Sequence, residues 1–93
     1  MDLWPMRVSR APEAVFQSFD GQSVLICTKT NEVFKLNRVG AWIWEHLEAE
    51  RSVDELIDGI TSTFGVDDKT AHADCVGFVD ELARRGLLVR IES

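Results

Sequence analysis

Cysteine is nearly absent, and the two residues present, Cys27 and Cys75, stand alone. Neither belongs to a CxxC spacing or a Cys/His grouping, which argues against a disulfide framework or a zinc site. Each reads as a small apolar residue, one in a strand and one in a helix, suited to a reducing compartment. Long hydrophobic runs are missing too, and Met1-Asp2-Leu3-Trp4-Pro5 has no basic segment leading into an apolar stretch. The expectation is a soluble, cytoplasmic protein without membrane association. Basic residues are the third shortage: 10 Lys and Arg stand against 16 Asp and Glu, a formal net charge of -6. Nucleic-acid affinity rests on clustered Lys and Arg that displace counterions, so a nucleic-acid partner is disfavoured. With 93 residues, the chain has material for one domain and one core.

What is present is clear punctuation. Residues 1–12 read as an N-terminal arm broken by Pro5 and Pro12, with Trp4, Met6 and Val8 as anchors, and residues 13–91 as the domain proper. Ala14-Val15-Phe16-Gln17-Ser18-Phe19 predicts a first strand, Asp20-Gly21 a hairpin turn, and residues 22–28 a second strand. Lys29-Thr30-Asn31 turns the chain into a third strand over residues 32–36. Asn37 then caps a helix over about residues 38–49. Ser52-Val53-Asp54-Glu55 is a capping box opening a second helix that Gly65 stops. Asp67 or Asp68 opens a third, with Ala71, Cys75, Phe78, Val79 and Leu82 at helical spacing and Gly86 at its end. Residues 87–91 add a short extended tail. The fold class is α+β, a three-stranded antiparallel sheet followed by three helices.

Chemistry-bearing constellations are sparse. His46 and His72 belong to no nucleophile or metal motif, and the carboxylates of residues 45–68 lack EF-hand spacing, so no catalytic residue, metal or cofactor is expected. Gly40, one turn beyond Asn37, permits close approach of another backbone. Trp42 and Trp44 project about 200° apart on a helix, so they cannot share one core. Trp42 is the expected core member; Trp44 is the expected partner surface, unless the N-terminal arm covers it. A three-stranded meander leaves two open edges, one of them at residues 32–36. An extended peptide adding there would lie beside a helix, with backbone hydrogen bonds for affinity and alternate side chains for selectivity.

The strand ending in Leu36-Asn37 before Gly40, Trp44-Glu45 with Leu47, Ser52-Val53-Asp54-Glu55-Leu56, Phe64-Gly65-Val66, Asp74 with Phe78 and Leu82, and Arg85-Gly86-Leu87-Leu88 occur in fixed order. In this order they resemble the PqqD-like family of peptide chaperones, including the lasso-peptide type. These are small winged helix-turn-helix-like domains that recognise leader peptides in the biosynthesis of ribosomally made, modified peptides. The chain departs from the family's commonest pattern at Ala49-Glu50-Arg51, where glycine often follows the first helix. The resemblance implies that a precursor's leader pairs with the third strand and packs on the third helix. Carried over by position, the strand edge is Glu32, Val33, Phe34 and Lys35, and the helix wall is Asp74, Cys75, Phe78 and Val79. The implied role is non-catalytic presentation of the precursor to a modifying enzyme such as a radical enzyme, a leader peptidase or a cyclase. The free edges also leave room for a homodimer. Two rivals are a winged-helix transcription regulator, whose recognition helix should be basic where this one carries His72, Asp74, Asp80 and Glu81, and an enzyme or enzyme subunit.

Overall fold

The computed structural model describes residues 6–92. Its elements, in chain order, are β1 (Met6–Arg10), β2 (Ala14–Phe19), β3 (Gln22–Cys27), β4 (Val33–Leu36), α1 (Arg38–Glu45), β5 (Arg51–Ser52), α2 (Val53–Phe64), α3 (Asp68–Arg84) and β6 (Leu88–Glu92). The expected meander is there. Asp20 and Gly21 both adopt positive φ, 52° and 73°, which turns β2 tightly onto β3 with Phe19 opposite Gln22. Asn31, at φ 63°, helps return the chain as β4, which pairs antiparallel with β3 from Ile26↔Val33 to Ser23↔Leu36.

A second sheet, of order β5-β1-β6, accompanies the first. Its centre is β1, paired antiparallel along its whole length with β6, from Met6↔Glu92 to Arg10↔Leu88. The expected arm is therefore corrected for its second half: residues 6–10 are an integral strand, and Val8 is fully buried as a member of the core cluster. Trp4 lies outside the described residues. The extended tail after Gly86 is β6.

The helices follow their local signals. Asn37 Oδ1 accepts the Gly40 amide at 2.7 Å to start α1. Ser52 and Glu55 make the reciprocal capping box of α2, at 3.2 Å and 2.9 Å, and Gly65 ends it in the left-handed region at φ 66°. Asp67 Oδ1 accepts from the Thr70 amide at 2.8 Å and starts α3. Helix α1 is shorter than expected, because residues beyond His46 turn to deliver β5 to the edge of β1.

Packing corrects the two tryptophans. Trp44 is only 3% exposed. The Arg10 guanidinium lies 4.9 Å from its ring centroid and donates to its carbonyl oxygen at 2.6 Å, so β1 covers it. Trp42 is the half-buried one. Its indole lies over Gly59 of α2, stacks on His46 with ring centroids 3.8 Å apart and meets the Phe64 ring edge-on with centroids 6.4 Å apart. A side chain at Gly59 would occupy the space of the indole, which explains a glycine inside α2. No helix among the described residues is long and apolar enough to cross a membrane.

Candidate functional site

The free edge of β4 and one face of α3 form the two sides of a groove. The ladder register determines what the edge offers. The Cys27 amide donates to the Glu32 carbonyl at 2.9 Å, so Glu32 and, by alternation, Phe34 and Leu36 direct their backbone groups at β3. Val33 and Lys35 direct theirs outward. Of the four residues expected at the edge, two thus present unpaired amides and carbonyls, while Glu32 is spent in the turn, where its amide also bonds the Thr30 hydroxyl at 3.3 Å.

Side chains alternate in the opposite sense. Phe34 and Leu36 share a face with the buried Leu25 and are half-buried, forming the groove's floor beside Phe78. Val33, 59% exposed, and Lys35 stand on the outer face. Two adjoining depressions of about 310 Å³ each run along this floor and share Phe34, Asn37 and Phe78.

The far wall is α3, and here the sequence-based set divides. Asp74 and Phe78 line the groove; Cys75 and Val79 do not. Both are buried behind the wall, in the core, where desolvation pushes the Cys75 thiol up to about 12. Adjacent helical residues point about 100° apart, so the pairs 74/75 and 78/79 each straddle the wall and the core. The residues missed are Ala73, Gly77 and Glu81, spaced i, i+4, i+8 on the groove side, together with Asn37 and Val39 at the start of α1. That spacing was legible, since Ala71, Cys75, Val79 and Leu82 already claim the opposite stripe.

Gly40 has a role different from the one anticipated. A Cβ there would stand 2.9 Å from Phe78 Cε1, so the glycine admits this protein's own aromatic ring and lets α1 close on α3. Polar groups grade along the groove. At the Phe34 end the Arg85 guanidinium sits 5.2 Å from that ring's centroid and is bonded to Glu81 Oε2 at 2.6 Å, which holds the Glu81 carboxyl below its ordinary range. At the Asn37 end the exposed Asp74 has no ion-pair partner among the described residues.

Elsewhere, Asp54, Ile57, Asp58, Asp68 and His72 line a shallow depression of about 430 Å³ between α2 and α3. No cluster of three or more His, Cys, Asp or Glu side chains is placed to hold a metal ion among the described residues. His46 Nδ1 lies 2.9 Å from the Trp42 carbonyl oxygen of its own helix.

Comparison with known proteins places this architecture. A search of curated proteins returned no match. The structure of TbiB1 in complex with the TbiA(beta) leader peptide is similar at a TM-score of 0.76 and 31% identity, covering 86% of this chain and 93% of that one. A lasso peptide synthetase B1 complexed with the leader peptide shares the fold at a TM-score of 0.77 and 24% identity, over 88% and 96% of the two chains. The family described as coenzyme PQQ synthesis protein D matches residues 22–88, the span from β3 to the start of β6 that contains β4, α3 and the groove between them. The chain belongs to the PqqD family.

Proposed function

We propose that this protein binds the leader segment of a ribosomally made precursor peptide as an added strand on β4 and presents the precursor to a modifying enzyme. The observation that carries this reading is the outward direction of the Val33 and Lys35 backbone groups beside an apolar floor of Phe34, Leu36 and Phe78. An added strand completes the ladder, and its alternate side chains enter the groove. The site that supports the reading is Val33, Phe34 and Lys35 with Asp74 and Phe78; Cys75 and Val79 act only by holding α3 in place. The likeness to TbiB1, a structure with a leader peptide, supports the same ligand class.

The role is delivery, not turnover. A bound leader keeps the attached core segment at high effective concentration near the enzyme, be it a radical enzyme, a leader peptidase or a cyclase. A duplex-binding role gains nothing from α3, whose Arg84 and Arg85 are engaged by Asp80 and Glu81.

The test is a titration of isotopically labelled protein with the leader encoded beside it, followed by amide shifts, with a scrambled leader as control. Saturable shifts are expected in β4, at Asn37 to Gly40, and at Ala73, Asp74, Gly77, Phe78 and Glu81. A folded protein without saturable shifts rejects the proposal. Lys35→Pro removes an outward amide and spares the internal ladder, so it should weaken binding at least tenfold while far-UV circular dichroism stays unchanged.

A further inference from the structure

Among the described residues the two sheets have four edges. β4 is the edge proposed for the leader; β5 is two residues long, and β6 carries Arg90, which pairs with Asp80 at 4.0 Å. β2 is different: six residues, AVFQSF, with no charge, proline or bulge along the strand. It is also the edge that exposes most apolar surface, with Val15 at 40%, Phe16 at 36% and Phe19 at 55%. Among the described residues, none of the usual devices that keep an edge from pairing is present at β2.

We infer that β2 is a self-association edge, pairing antiparallel with β2 of a second copy of this chain about a two-fold axis through Phe16. The register selects that residue. In a hairpin with a two-residue loop the closing pair, Phe19 and Gln22, bonds across the ladder, and the Thr28 amide bonds the Glu13 carbonyl at 2.9 Å with the same parity. Odd-numbered residues of β2 therefore face β3, and Phe16 and Ser18 direct both backbone groups outward. Ala14 offers its carbonyl, its amide being bonded to the Ala11 carbonyl at 3.1 Å. A two-fold at Phe16 satisfies this pattern: Phe16 exchanges two bonds with its counterpart, and each Ser18 amide meets the other copy's Ala14 carbonyl.

Side chains agree with the backbone. The two Phe16 rings meet on one face, Val15 lies opposite Gln17, and Glu13 lies opposite Phe19 rather than another carboxylate. The edge thus brings no like charges into opposition although each chain carries a net charge of -6. The result is one six-stranded sheet of order β4-β3-β2-β2-β3-β4, its two β4 edges about 24 Å apart at the usual strand spacing and both open.

A single strand edge buries less than a stable dimer needs, so the association is weak and concentration-dependent. Sedimentation equilibrium should show the average mass rising from one chain toward two between about 10 µM and about 1 mM, more steeply at 0.5 M salt, which screens the general acidic repulsion. Phe16→Lys and Ser18→Pro should both remain monomeric with wild-type circular dichroism and unchanged leader affinity, which separates this test from that of β4. If Phe16→Lys misfolds, Ser18→Pro and cross-linking decide. Phe16→Cys, about 5.5 Å from its mate, should form a disulfide-linked dimer with diamide, whereas Gln17→Cys should not. A wild-type chain that stays monomeric at 1 mM, a dimer that survives both substitutions, or equal cross-linking at positions 16 and 17 would overturn the inference.

Discussion

Single residues decide how tightly this small core closes. Gly59 is the clearest case. In an exposed helix, glycine to alanine stabilises by roughly 1 kcal/mol, but at Gly59 the added methyl enters the space of the Trp42 indole. Overpacking outweighs propensity here: Gly59→Ala should destabilise by about 1–3 kcal/mol in urea unfolding, with a change in tryptophan fluorescence. Cys75 yields a second prediction. Its thiol is buried and pushed up to about 12, so it should resist a thiol-specific reagent at pH 8 in the native protein and react on unfolding. The tryptophans show where residue-level reading of the sequence stops. Helical geometry established that Trp42 and Trp44 diverge, but which one is covered depends on Arg10 and on β1, more than thirty positions away. No local pattern carries that information.

Elements were legible in proportion to how locally they are specified. The starts of all three helices rest on side chains bonding amides three residues ahead, Asn37 to Gly40, Ser52 to Glu55 and Asp67 to Thr70; the first two were readable outright and the third to within one residue, Asp67 or Asp68. The β2-β3-β4 meander was readable for the same reason, through its turn residues. β6 was readable as an extended tail, but its pairing was not, nor were β1 and β5 as strands, because these partners lie far apart in sequence and no turn announces them. The groove was half legible: β4 follows from the meander, whereas the α3 wall requires choosing the stripe opposite the core. The caps also set an acid limit. Hydrogen bonds from Ser52 to Glu55, from Thr70 to Asp67 and from Arg85 to Glu81 lower these three carboxyls in the folded state relative to ordinary values of 4.5, 3.8 and 4.5. Their contribution is complete above those values and is lost as pH falls through the lower folded ones. Stability should therefore decline below about pH 4.5, and Glu55→Gln and Asp67→Asn should each flatten that decline in thermal scans. Ser52→Ala should cost about 1 kcal/mol at neutral pH.

At the scale of the molecule, a recognition role ties ligand binding to stability. A leader that binds only the folded chain, present at a hundred times its dissociation constant, should add about 2.7 kcal/mol to unfolding. Differential scanning calorimetry would read this as a rise in melting temperature that grows with leader concentration and disappears with Lys35→Pro. The pairing of β1 with β6 has a mechanical side. Met6 and Glu92 are opposite one another in an antiparallel ladder, so tension applied between them acts across the strands and opens the ladder rung by rung instead of shearing all rungs together. The domain is thus built to yield at low force from its ends. An unfolding machine that grips either one would strip away the sheet that covers Trp44 before it disturbs the hairpin.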